Sequence, residues 1–312
     1  MLDPELEPFL VRWDAEWSTL KAGATPADRR AHFEIVARNM ALPAPGDVDA
    51  SAVHVIDSNA GPVRVRVFRH SGGGVQPALV YMHGGAWMQG SPETHADITS
   101  RIASWNRQTV VSIDYALAPE QPFPAAVTQC AAVIEWIFAR AQKLGIDARR
   151  IAIGGDSAGA NIAAALTLVF RDAPERLRAQ LLVYPACDFD MTRPSYRENA
   201  NGPLLRIAGM DAINAMYCPH PADFDNPLVQ PLLAKSHAGL PPAFVAVAGH
   251  DPLRDSGVAY AEALRADGVD VVLDRSEGLI HGYLRAMAYC AASRAALKRM
   301  TDWLSARNAE TP

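Results

Sequence analysis

The chain has 312 residues, 49% hydrophobic and 20% charged, with a formal net charge of −5 and a pI near 6.0. That is the make-up of an ordinary globular protein able to bury a sizeable core. It offers no basic stripe to neutralise a phosphate backbone, so nucleic acid is excluded as an expected partner. No run of about 18 apolar residues occurs, so no stable membrane insertion is expected. The acidic start MLDPELEPFLVRW lacks the basic-then-apolar order of a secretory leader, so a cytoplasmic location is expected. Cys130, Cys187, Cys218 and Cys290 lie far apart, without the close pairs of a zinc or redox site, and read as buried or incidental free thiols.

Helical spacing opens the chain, with Leu6, Phe9, Leu10, Trp13, Trp17 and Leu20 recurring every three or four residues. Thr25 can cap a second helix, with Pro26 at its first position and Phe33, Val36, Ala37 and Met40 on one face. This two-helix arm has no partner face of its own. From Ser51 the period changes to two, most plainly in PVRVRVFR, which predicts half-exposed antiparallel strands around a turn at Asn59 to Gly61.

Beyond SGGG, continuous apolar runs alternate with helical segments. The runs are ALVYM (78–82), TVVSI (109–113), IAI (151–153), LLVY (181–184) and FVAVA (244–248), with a late strand in GVDVVLDR. Helices are predicted over 124–144, 158–171, 253–267 and 283–306. Strands apolar on both faces are those of a parallel sheet covered by helices on each side. Roughly sixty residues separate the strands at 181–184 and 244–248, too many for an ordinary connection. Part of this stretch, LLRIAGMDAINAMY, has helical spacing. An insertion at the C-terminal end of a strand suits a lid over a ligand crevice.

The most informative segment is RRIAIGGDSAGANIAAALTLVF: an apolar strand, then GDSAG, then an alanine-rich helix. Gly155, Ser157 and Gly159 form a G-x-S-x-G turn in the strand–turn–helix setting where a serine becomes a nucleophile. Glycines are needed because strand and helix approach closely there. The helix start also directs Ala158 N–H toward a reacting oxygen. A glycine-flanked N-cap serine is the bland alternative, and the flanking elements argue against it.

MHGGAW follows the strand at 78–82, and amides from Gly84 and Gly85 could approach a developing oxyanion with no Cβ in the way. His83 then braces the loop and is not the base. Trp87 and Met88 are candidate pocket walls, although such side chains are as often core. In proteins with this serine turn the acid and then the histidine follow along the chain. GHDPLRDSG offers Asp251 and Asp255, and LIHGYL offers His281. His281, in a loop before the last helix, is preferred over His250, which lies beside the acid. Asp251 is preferred over Asp255 by its place at the strand end, while Asp251–Pro252 also reads as a helix N-cap.

Together these segments resemble the hormone-sensitive-lipase-like family of α/β-hydrolases, in its bacterial carboxylesterase branch. The resemblance runs over nearly the whole chain: MHGGAW, DYALAPEQPFPAA, GDSAGAN, NPLVQPLL, LPPAFVAVAGHDPLRD and IHGYL. Two departures stand out, Ala86 where the family has a third glycine and Ala116 where it has arginine. The resemblance implies an α/β-hydrolase fold, with a mostly parallel sheet, antiparallel N-terminal strands and a helical cap. The cap would comprise 1–48 and 188–226, over a catalytic domain of 49–187 and 227–312. It also implies a possible homodimer.

The expected activity is hydrolysis of small to medium acyl esters through an acyl-serine intermediate. An amidase or aryl formamidase would use the same triad, and a non-catalytic ligand-binding protein shares the fold. No dinucleotide fingerprint, phosphate loop or metal cluster is present in the sequence, so no cofactor and no metal are expected.

Overall fold

The computed structural model describes residues 1–310. Helices α1 (Glu7–Trp17) and α2 (Pro26–Met40) precede the hairpin β1 (Val48–Ile56) and β2 (Val63–His70). There follow β3 (Gln76–Met82), α3 (Ala96–Asn106), β4 (Thr109–Asp114), α4 (Ala125–Leu144), β5 (Ile146–Asp156), α5 (Ala158–Val169) and β6 (Gln180–Val183). After the short helices α6 (Pro194–Glu198) and α7 (Met210–Tyr217) come β7 (Ala243–His250), α8 (Arg254–Ala266), β8 (Val271–Ile280) and α9 (Ala291–Ala309). The eight strands form one sheet in the order β1-β2-β4-β3-β5-β6-β7-β8. Pairing is antiparallel for β1–β2 and β2–β4 and parallel thereafter.

Residue chemistry explains this layering. β1 carries exposed Val53 and Val55 on an edge, whereas β3, β4, β6 and β7 are buried on both faces, as their unbroken apolar runs predict. One core packs α4, α5 and α8 against the sheet, and a second packs α1, α2, α3 and α9 on the opposite face. Thr25 caps α2 in a reciprocal box, its hydroxyl accepting Asp28 N–H (3.2 Å) while Asp28 Oδ2 accepts Thr25 N–H (2.9 Å).

From β3 the chain crosses to β4 on one side, then returns to β5 on the other. The C-terminal ends of β3 and β5 therefore flank the point where strand order reverses, the place where open α/β sheets leave a crevice.

Several elements differ from the sequence expectation. Helix α3 had no apolar stripe strong enough to announce it: only Ile98, Ile102 and Ala103 bury apolar surface, beside buried Thr99 and Ser100. The segment predicted as one helix over 283–306 is a 3-10 turn (Tyr283–Ala286) followed by α9. In LLRIAGMDAINAMY only Met210–Tyr217 is helical, because Gly209 (φ 90°) holds a left-handed conformation at its start. The late strand runs on to Ile280, which delivers His281 at its end. Helix α8 begins at Arg254, not at the Asp251–Pro252 cap, so Asp251 is free of the N-cap position.

Candidate active site

Ser157 stands between β5 and α5 with φ 54° and ψ −120°, a conformation L-residues rarely adopt and one that stores strain. Close packing enforces it. A Cβ on Gly159 would lie 2.1 Å from Met82 O and 2.6 Å from His83 O, and one on Gly155 would lie 2.3 Å from Met82 O. The two glycines thus let the end of β3 lie directly against the serine turn. Gly159→Ala is expected to cost about 3 kcal/mol through this clash, read as a lowered Tm.

Three side chains meet at the turn. His281 Nε2 lies 2.9 Å from Ser157 Oγ, and His281 Nδ1 lies 2.8 Å from Asp251 Oδ2. A carboxylate only accepts, so Nδ1 carries the proton toward Asp251 and Nε2 presents a lone pair to the serine hydroxyl. Asp251 is fully buried, and its other oxygen accepts Leu253 N–H at 2.8 Å. One oxygen orients the histidine while the other fixes the following turn. Asp255 instead accepts Ser195 N–H and pairs with Arg254. His250 lies in a separate groove with Arg197, Glu198 and Asn199.

The loop after β3 revises the sequence reading of the oxyanion donors. Gly84 N–H donates to Asp156 Oδ1 (2.9 Å), so this amide is committed to structure and is no free donor. Among the described residues, the amides of Gly85, Ala86 and Ala158 have no hydrogen-bond partner. Ala86 (φ 55°) and Trp87 (φ 56°) are both left-handed, which turns the loop over the serine. Ala86→Gly is expected to relieve this conformation and stabilise the fold by about 1 kcal/mol, measurable by thermal melting.

Asp156, the residue before the serine, is the group the sequence reading missed. Only 4% exposed, it accepts from Gly84 N–H and from Tyr81 O–H (2.8 Å), and Tyr184 O–H approaches its Oδ2 at 3.4 Å. His95 Nε2 lies 3.4 Å away, and Arg285 Nη2 lies 2.7 Å from the same nitrogen. Burial pushes the carboxyl toward protonation. His95, Arg285 and the Tyr81 hydroxyl outweigh it and hold Asp156 well below the usual carboxylate range. Its signal in the sequence was a charge closing the uncharged run of 151–155, directly before the motif serine.

His83 has the bracing place expected of it. Fully buried, it stacks on Tyr115 (ring centroids 4.3 Å apart) with Nδ1 3.0 Å from Gly84 O. Burial, helped by His95, lowers its pKa to about 3, so it is neutral and no base.

Two cavities open from Ser157. A narrow one is walled by Ala86, Trp87, Phe189, Leu205, Met210 and Ile213. A wider one includes His281 with Trp13, Arg29, Phe33, Met88 and Arg285. Both segments that the sequence left unplaced, the N-terminal arm and the insertion, line these cavities. Trp87 is at once core and wall: 4% exposed, it stacks on Tyr217 at 4.4 Å. Asn161 on α5, also missed, ties down both ends of the insertion, donating to Ala186 O (2.7 Å) and Val229 O (2.8 Å).

The one group of metal-type ligands close together among the described residues, Asp3, Glu5 and Cys290, lines neither cavity. Two of its carboxylates already accept backbone N–H groups, from Glu5 and Ala291. Among the described residues, no helix is long and apolar enough to cross a membrane.

A parallel sheet with a strained serine turn at its switch point, facing a histidine and an acid from later strand ends, defines the class of α/β-hydrolases. A family model described as alpha/beta hydrolase fold matches residues 79–285, and the chain belongs to that family, in its hormone-sensitive-lipase-like branch. The chain is 43% identical over 212 residues to "Carboxylesterase NlhH" of Mycobacterium tuberculosis, covering 67% of this chain and 66%, just under two thirds, of that protein. It is 39% identical over 287 residues to "Carboxylic ester hydrolase LipN" of the same organism, covering 89% and 75%. The solved structure of ester-hydrolase EH1AB1, from the metagenome of Lake Arreo, superposes with a TM-score of 0.90 at 35% identity, over 98% of this chain and 99% of that one.

Proposed function

We propose that the chain is a serine carboxylesterase acting on small to medium acyl esters. The observation that carries this reading is the hydrogen-bonded line Ser157–His281–Asp251 set beside the unpaired amides of Gly85, Ala86 and Ala158. Ser157 Oγ attacks the ester carbonyl carbon while His281 Nε2 takes its proton. Negative charge then forms on the carbonyl oxygen, against the three amides, where fixed dipoles stabilise it without reorganising. Collapse expels the alcohol oxygen, which His281 reprotonates, leaving acyl-Ser157. Water, deprotonated by His281, attacks this ester and releases the acid. Asp251 stays ionised throughout and supports the transient imidazolium.

Proton delivery also assigns the cavities. The leaving alcohol must lie on the His281 side, which is the wide cavity, so the acyl group occupies the narrow one. Residues 1–48 and 188–226 act as the cap over both.

Incubation with nitrophenyl acetate, butyrate, octanoate and laurate, alongside a formyl-aryl amide, tests the reading. The expected result is turnover of the shorter esters, and a nitrophenyl alkylphosphonate should add one phosphonyl group to Ser157 by mass spectrometry. Turnover of the amide alone would make the chain an amidase. No turnover and no adduct would leave a binding protein on this fold.

A further inference from the structure

The wider cavity carries a charge that no protein group answers. Two guanidiniums line it beside Ser157 and His281, from Arg29 on α2 and from Arg285 after β8. Arg285 is accounted for: it donates to Thr94 O (3.1 Å) and to His95 Nε2 (2.7 Å), and its charge is set against Asp156, the carboxylate among the lining residues. Asp156 is in turn buried and taken up by Gly84 N–H and Tyr81 O–H. Arg29 has no such counterpart. Half-buried, it lies 5.1 Å over the Trp17 ring, and among the described residues its guanidinium makes no hydrogen bond and no ion pair. The contrast with its neighbour is direct, because Arg30 donates to Met88 O (2.7 Å) and Ala118 O (2.7 Å) and pairs with Glu120. The acids of the same helix are committed elsewhere, Asp28 to the Thr25 cap and Glu34 to the Ser91 hydroxyl.

Helix stability does not explain the residue either. Arg29 stands in the first turn of α2, where the helix dipole disfavours a cation. An unpaired guanidinium offers five N–H donors in a planar fork that matches a carboxylate. Trp13 and Phe33 line the same cavity, so an aromatic ring carrying the anion finds apolar wall as well as charge. A cationic alcohol meets two guanidiniums of like charge, and a neutral one leaves Arg29 to water. We propose that the wider cavity selects esters whose alcohol part carries an anionic group, a carboxylate held by Arg29. The proposal rests on reading this cavity as the leaving-alcohol side of an esterase.

The test compares turnover by the full chain of 4-butyryloxybenzoate and its neutral twin 4-butyryloxybenzamide, with the released phenol read by absorbance. Each kcat/KM is divided by the ester's rate of hydroxide hydrolysis, which removes the intrinsic difference between the two phenols. A charge-assisted pair at a half-exposed arginine should favour the carboxylate by about three- to tenfold. That ratio should fall toward one in Arg29→Gln and persist in large part in Arg29→Lys, which keeps the charge. It should also shrink in about 0.5 M sodium chloride, which screens a pair open to water. Arg29→Gln removes the contact over Trp17 as well, so its melting curve is recorded; a loosened arm lowers both rates together and leaves the ratio unchanged. Equal turnover of the twins by wild type means that Arg29 is only solvated and overturns the proposal. So does a preference that survives in Arg29→Gln. Nitrophenyl butyrate separates this failure from that of the esterase reading. If wild type hydrolyses it without preference between the twins, the proposal alone falls; if none of the three esters is turned over, both fall.

Discussion

Ser157→Ala is expected to lower kcat on nitrophenyl butyrate by about 10⁵–10⁶-fold, with little change in Tm. The loss is that large because nucleophile, base and orienting acid act as one unit, and a residue of about 10³–10⁴ over water survives through the amides and binding alone. His281→Ala should cost a similar factor. Asp251→Asn should cost about 10⁴, because an amide at Oδ2 no longer holds the Nδ1–H tautomer of His281. Stopped-flow release of nitrophenol measures each. Alanine at Ser157 that retained even a hundredth of wild-type turnover would require another nucleophile.

The largest stability effect is expected at Asp156, whose carboxylate is engaged by protein groups. Asp156→Ala removes a buried charge that faces His95 and Arg285, and it strips the partners from Gly84 N–H and Tyr81 O–H. Breaking a buried charge cluster on one side costs about 3–5 kcal/mol, which for a chain of this size lowers Tm by on the order of 10 °C. Catalysis should fall as well, by about 10²–10³-fold, because Gly84 anchors the loop that presents the neighbouring amides.

The pH dependence has a definite sign. Asp156 titrates below its unfolded value of about 3.9, so its stabilisation is complete above that pH. It is lost as the pH falls toward the lower folded value. Wild type should therefore lose stability steeply below about pH 4, and Asp156→Asn should show a shallower slope there in denaturant titrations. Equal slopes would show that Asp156 is not ionised in the folded protein.

What the sequence carried was local. Thr25 and Pro26 are a cap wherever they sit, and the alternation of PVRVRVFR or the unbroken run of ALVYM tells which faces are dry. GDSAG between strand and helix could be read because strain, glycines and helix start are neighbours in the chain. His281 and Asp251 were legible through their order after that serine. Elements with a weak local signal were not. Helix α3 buries threonine and serine beside two isoleucines, and LLRIAG keeps helical spacing that Gly209 overrides.

Tertiary structure decided what depends on distant segments meeting. Whether the first or the second glycine of MHGGAW offers its amide depends on Asp156, which lies 72 residues away in the chain and claims Gly84. The narrow cavity unites Trp87, already a candidate wall in the sequence, with Asp188, Tyr196 and Asn214 from two further stretches, and no local spacing announces those three. Sequence alone determined the fold class and singled out the side chains proposed to react, because strand period, glycine sterics and chain order are local or one-dimensional. Only the folded chain decided which amides are free and which polar groups stand without partners, because a hydrogen bond once made to a distant residue is unavailable to a substrate.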